Sequence, residues 1–156
     1  MVEVTLRRFR RTLSGVRRVG LDTPVLIYHM ENVPPYTELT TRLLVDAAAG
    51  ALEIVLSVVA VSEILVGPWR KGNTDQAGRI DAAIRAIPGV RFADITLDGA
   101  GSAAALRGRT GLPLPDALII SSSVAKGAQV ILTNDKTWRA KNLPCRVILL
   151  DEYVRV

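Results

Sequence analysis

The sequence predicts a single α/β domain built on a mainly parallel sheet with helices on both faces. Three observations carry that expectation. Short apolar runs rich in Val, Ile and Leu recur at residues 19–22, 52–57, 90–95, 130–133 and 146–150. Helical segments rather than tight hairpin turns separate them, the arrangement of strand–crossover–strand units. The run VILT at 130–133 is unbroken by any charge, as expected of a central strand covered on both faces. At 156 residues the chain is long enough for one sizeable core.

The segment 1–20 opens the chain. Val2, Leu6, Phe9, Leu13 and Val16 recur at spacings of four and three, one face of a helix. Six arginines (Arg7, Arg8, Arg10, Arg11, Arg17, Arg18) stand against one acid, Glu3, and give this segment +5. The rest of the chain balances, with 14 basic and 14 acidic residues. We therefore divide the chain into a basic N-terminal extension, residues 1–18, and a domain, residues 19–156. The extension reads as a basic helix docked on nucleic acid or in a partner groove. A solvated extension from an upstream start codon and an Arg-rich mitochondrial targeting segment are the alternatives.

Val19–Leu21 reads as a buried first strand ending near Asp22, which with Thr23 caps a short apolar helix entered through Pro24. Residues 36–49 form a helix with Leu39, Leu43, Leu44 and Ala47 inward, closed by Gly50. After the strand 52–57 comes a helical stretch, VVAVSEILVG, in which Glu63 is the single charge. Glu63 either points to solvent or belongs to a site, because an isolated acid is seldom buried. Trp69, Arg70, Lys71 and Gly72 read as a basic loop, Thr74–Ile87 as a helix ended by Pro88-Gly89, and Val90–Ile95 as a strand. Asp98 is expected to cap the helix that follows, with Arg107 and Arg109 near its end.

The chain is organised around residues 112–135, LPLPDALIISSSVAKGAQVILTND. Pro113 and Pro115 fix the entry to a helix that opens at Asp116 and is small or apolar all round. Lys126 and Gly127 end it. Val130–Thr133 is a central strand, with Asn134 and Asp135 at its carboxyl end. A loop carrying Lys136, Trp138, Arg139 and Lys141 leads to the last strand, 146–150.

Four acids thus occupy one kind of place. Asp22 ends a strand, Glu63 follows one, Asp116 opens a helix and Asp135 ends a later strand. In an ordinarily wound sheet all four converge at the carboxyl edge, where ligands bind. Carboxylates so grouped repel one another unless a cation neutralises them. Cys145 and His29 are each the sole residue of their type, which excludes a disulfide and a Cys/His zinc site. The metal must be held by oxygen, which means Mg2+ or Mn2+. That chemistry suits phosphodiester hydrolysis by an activated water, with Thr133 and Thr23 placed to orient acids or water.

The stretches LDTPVLI, SEIL, LPLPDALIISSSVAKGAQVILTND and the tryptophan after them resemble the PIN domain family, most closely its VapC-like toxin branch. The resemblance runs from about Leu21 to Leu150. It places the acidic site on Asp22, Glu63, Asp116 and Asp135, with Thr133 as the accompanying hydroxyl. It implies a three-layer α/β/α sandwich, Mg2+ or Mn2+ dependence, cleavage of single-stranded RNA, a homodimer and a cognate antitoxin. Two departures stand out: residues 1–18 precede the usual start, and Lys136-Thr137-Trp138 stand where some members carry another acid.

The expected function is therefore that of a metal-dependent endoribonuclease acting on single-stranded or structured RNA. Arg70, Lys71, Arg107, Arg109, Lys136 and Arg139 are the candidates for phosphate contacts. With aromatic content at 4%, base stacking is not the main grip, and Trp138 reads as packing. A phosphatase-type hydrolase with Asp22 as covalent nucleophile is one alternative, but such enzymes want an acid two residues on, where this chain has Pro24. A non-catalytic RNA-binding module is the other, and the presence of all four acids argues against it. No apolar run reaches the ~18 residues of a membrane span, so no transmembrane helix is expected; the expected location is the cytoplasm.

Overall fold

A computed structural model describes residues 3–155; Val2, placed above on the apolar face of the leader, lies outside them. In chain order the elements are β1 (Glu3–Val4), α1 (Leu6–Thr12), β2 (Arg18–Leu21), α2 (Thr23–Met30) and α3 (Tyr36–Ala48). They continue with β3 (Glu53–Ser57), α4 (Val58–Arg70), α5 (Thr74–Arg85), β4 (Val90–Ala93), α6 (Leu97–Thr110) and α7 (Leu114–Ala125). The chain closes with β5 (Val130–Thr133), α8 (Lys136–Arg139), β6 (Arg146–Leu149), a 3-10 turn (Leu150–Tyr153) and β7 (Val154–Arg155).

Five strands form one all-parallel sheet in the order β4-β3-β2-β5-β6, and β1 and β7 make a separate antiparallel ribbon. Helices cover the sheet on both sides, so the architecture is a three-layer α/β/α sandwich. All four residues of β5 are buried, as its unbroken Val-Ile-Leu-Thr sequence requires. Helix α7 closes tightly on the sheet because its inner face is small. A Cβ at Gly20 of β2 would meet Ile131 at 2.9 Å and Ser123 at 3.3 Å. The Ser122 hydroxyl, buried in that face, donates to Ser57 Oγ at 2.8 Å.

The leader is docked on its own domain. Phe9 of α1 is 1% exposed and meets the Tyr153 ring edge-on at 5.2 Å between centroids. The Tyr153 hydroxyl donates to Thr12 Oγ1 at 2.9 Å, and its carbonyl accepts from the Thr5 N–H at 2.8 Å. Leu13 is also buried, so the predicted apolar stripe faces the core and the arginines face outward. Burying one such aromatic stabilises by about 1.5–3 kcal/mol, enough to hold a short helix in place.

Three local expectations change. Trp69 and Arg70 extend α4 instead of forming a loop, because Ile64 and Pro68, four residues apart, both bury on its inner face. The cap of α6 is Thr96, whose hydroxyl accepts from the Gly99 N–H at 3.0 Å; Asp98 sits inside the first turn. The expected loop after Asp135 begins with the single turn of α8, for a reason that belongs to the site.

Candidate active site

The strand order has a switch point between β2 and β5: from β2 the chain builds outward to β3 and β4, from β5 outward to β6. In open parallel sheets the crevice outside the carboxyl ends at such a point is where ligands bind. Leu21 is in register with Leu132. The next residue on β2 is Asp22 and the next on β5 is Thr133, so the two meet, and Thr133 Oγ1 donates to Asp22 Oδ2 at 2.7 Å. The same hydroxyl accepts from the Asp135 N–H at 3.0 Å. Thr133 thereby ties the exits of both central strands into one unit.

Asp22 caps α2, its Oδ1 accepting from the Thr23 N–H at 2.8 Å. Thr23 in turn donates its hydroxyl to Glu63 Oε1 at 2.7 Å. Glu63 is exposed, and that bond ties one of its carboxylate oxygens to the cluster. A helix that leads into a parallel strand runs antiparallel to it, so α7 brings its N-terminus, with Asp116 in the first turn, to this same edge. Asp135 follows β5 and caps α8, its Oδ1 accepting from the Thr137 N–H at 2.9 Å and hydroxyl at 2.6 Å.

Trp138 is the residue whose role sequence reasoning missed. It is fully buried, and its indole N–H donates to Asp116 Oδ2 at 3.2 Å. The short helix α8 therefore fixes two carboxylates, Asp135 through its own cap and Asp116 through Trp138. Asp135 followed two residues later by Thr137 is a local capping signal that predicts this turn. The contact from Trp138 to Asp116 has no such signal.

The electrostatics follow from this crowding. Burial lifts the Asp22 carboxyl from 3.8 to about 6. Hydrogen bonds from Thr133 and Thr23 oppose that rise, and the charges of Asp116 and Glu63 add to it. Asp116 is also raised, first by burial and then by Asp135 and Glu63, against the lowering effect of Trp138. Asp116 thus sits within electrostatic reach of the other three acids, and Asp22 within reach of Glu63.

Their fit to a divalent cation can be judged from the donors. Among the described residues no three Asp, Glu, His or Cys side chains are gathered closely enough to ligate one ion together. Mg2+ commonly takes only one or two carboxylates directly and keeps several waters. An oxygen-only set of mutually repelling carboxylates, each fixed by a donor and with lone pairs to spare, fits that mode. Beside Glu63 a cavity of about 300 Å3 opens, with Ile27, Met30, Ile64 and Ile80 among its lining.

The remaining candidates divide. Asn134 Oδ1 accepts from the Asp151 N–H at 2.8 Å and so braces the exit of β6. Arg107 donates to the Leu112 carbonyl at 2.7 Å, Arg109 to the Asn142 carbonyl, and Arg139 pairs with Glu152. Those three are exposed, and each also has a partner within the fold. Arg70, Lys71 and Lys136 are exposed and make no ion pair among the described residues. Asp22 is 6% exposed, and each of its oxygens accepts one hydrogen bond, from the Thr23 N–H and the Thr133 hydroxyl.

Comparison with known families matches the PIN domain over residues 19–142. The chain belongs to the PIN domain family. Among curated proteins no match is found. Solved structures share the fold, and several are toxin–antitoxin complexes. VapBC from Salmonella typhimurium bound to DNA aligns with TM-score 0.66 and 16% identity over 86% of this chain and 98% of its own. VapBC2 from Rickettsia felis, bound to a promoter fragment, gives 0.65 and 16% over 85% and 98%. Mycobacterium tuberculosis VapC20, described as a sarcin–ricin loop cleaving toxin, gives 0.62 and 19% over 82% and 98%.

Proposed function

We propose that this chain is a Mg2+- or Mn2+-dependent endoribonuclease cleaving phosphodiester bonds of single-stranded RNA, and that it is the toxin of a toxin–antitoxin pair. The observation that carries the reading is the crevice at the β2/β5 switch point, where Asp22 is lifted to about 6 beside Asp116 and Glu63. A protein that holds such a group at neutral pH without neutralising it accepts a standing electrostatic cost. When bound, a divalent ion supplies Lewis-acid chemistry, making a water nucleophilic near neutral pH and offsetting charge on the phosphoryl oxygens.

The chain's own residues supply the positioning. Thr133 and the Thr23 N–H hold the Asp22 carboxylate in one orientation, and the Thr23 hydroxyl draws Glu63 to it. Trp138 fixes Asp116. Lys71, lining the cavity beside Glu63, and Lys136, next to Asp135, are the cations offered to phosphates. The toxin assignment is supported by VapC20, a cleaving toxin of the same fold. An antitoxin partner is supported by the VapBC complexes from Rickettsia felis and Salmonella typhimurium. A homodimer in the cytoplasm is part of the same reading.

The test is cleavage of a mixed single-stranded RNA in Mg2+, Mn2+ or EDTA, with wild type beside Asp116→Asn. The reading expects cutting that needs the metal and vanishes in the variant while its thermal unfolding stays intact. Unchanged activity in Asp116→Asn would remove the assignment.

A further inference from the structure

We propose that the edge of the domain opposite the carboxylates is a docking surface for the RNA backbone, with Arg10, Arg11 and Arg17 as its phosphate-binding side chains. This rests on the ribonuclease reading and adds a second contact between enzyme and substrate.

The three arginines line one hollow of about 540 Å3 around the turn Ser14-Gly15. Asp46 is the one acid lining it, 3.9 Å from Arg10 Nε and also paired with Arg42. Arg11 and Arg17 make no ion pair among the described residues. These cations are not on a loose tail. Phe9 and Leu13 bolt α1 to the core, and the Arg17 N–H donates to Gln129 Oε1 at 2.6 Å. Their backbone positions are fixed before any ligand arrives, which lowers the ordering cost of binding.

The charge distribution makes RNA the fitting partner. All of the net +5 lies in residues 1–20, while the four acids of the crevice lie at the other end of β2. Arg17 and Asp22 flank that strand, about 16 Å apart at ~3.3 Å per residue. The molecule is thus electrically polar, with an end that repels a polyanion and an end that attracts one. A long RNA gains at the basic end what it loses at the acidic one, provided it can wrap the domain. A very short RNA cannot reach both. The PIN match begins at residue 19, so these three arginines are additional to the matched domain.

Removing residues 1–18 is not a clean test, since it takes Phe9 and Leu13 from the core. The experiment uses the full chain carrying Asp116→Asn, and follows fluorescence anisotropy of a labelled single-stranded RNA of about 40 nucleotides across a salt series. Adding Arg10→Gln, Arg11→Gln and Arg17→Gln should weaken binding about tenfold or more at 0.1 M salt. It should also flatten the log–log salt slope by about 2, since each single-strand phosphate contact contributes ~0.7. Asp46→Asn removes the one acid of the hollow and should tighten binding instead. In the catalytically intact chain, the triple change should lower the ratio of kcat/KM on the long RNA to that on a hexanucleotide. An unchanged slope and an unchanged ratio, in a folded variant of a protein that binds and cuts RNA, overturn the proposal. So does a triple variant that loses an acidic protein partner while its RNA slope stays put. A wild type that neither binds nor cuts RNA overturns the ribonuclease reading and this one with it.

Discussion

Replacing Asp22 with asparagine should make the metal-free protein more stable, although it removes the central acid of the site. The carboxyl titrates at about 6 in the fold against 3.8 in an exposed chain. Between those values the folded state holds more protons than the unfolded one, so stability falls as pH rises through the window and the whole penalty applies above it. At about 1.4 kcal/mol per pH unit the penalty is about 3 kcal/mol near pH 8. Asparagine removes it. The amide carbonyl still accepts from the Thr23 N–H, but its NH2 faces Thr133, whose hydroxyl loses its acceptor at a cost of about 1 kcal/mol. The net gain is about 2 kcal/mol, or roughly 4–8 °C in melting temperature for a domain of this size. Thermal unfolding in EDTA reads it directly: a clear gain at pH 8 that disappears near pH 4, where the wild-type carboxyl is protonated in the fold. Mg2+ should raise the wild type and leave Asp22→Asn where it was. An asparagine variant less stable than wild type at pH 8 without metal would refute the reasoning.

Two other changes separate the roles of neighbouring parts. Trp138→Phe keeps an aromatic ring, but it deletes the N–H that holds Asp116 and leaves a cavity where the larger indole was fully buried; it should cost about 2 kcal/mol of stability. Its Mn2+ affinity should fall about tenfold, the usual effect of losing a residue that orients a ligand, as measured by calorimetry. Phe9→Ala should cost about 3–5 kcal/mol in urea unfolding, because the side chain is 1% exposed against Tyr153. A leader that merely trails in solvent would show no such loss.

What the sequence made legible was chemistry tied to local pattern. Asp22 before Thr23-Pro24, Asp116 inside a proline-led helix start and Asp135 after an apolar strand each declare their place without tertiary information. Glu63 needed the fold, because its tie to the cluster is the Thr23 hydroxyl, 40 residues away in the chain. The order of strands was likewise out of reach: that β2 lies beside β5, and so Asp22 beside Thr133, is a matter of non-local pairing. Arg107, Arg109 and Arg139 look like free cations in the sequence. Their acceptors, the Leu112 and Asn142 carbonyls and Glu152, become visible only when loops fold back. The leader shows the same limit. Its apolar stripe was readable, but Tyr153, the residue that receives Phe9, lies 144 positions further along the chain.

The account stands on the claim that these carboxylates hold a divalent cation, and Mn2+ titration of the metal-free protein tests it most directly. Followed by calorimetry at pH 6, wild type should bind Mn2+ and release protons as it does so, because burial raises the Asp22 carboxyl to about 6. Asp116→Asn should lose most of that affinity while remaining folded. Wild type and Asp116→Asn taking up Mn2+ equally, or neither taking it up, would contradict the claim.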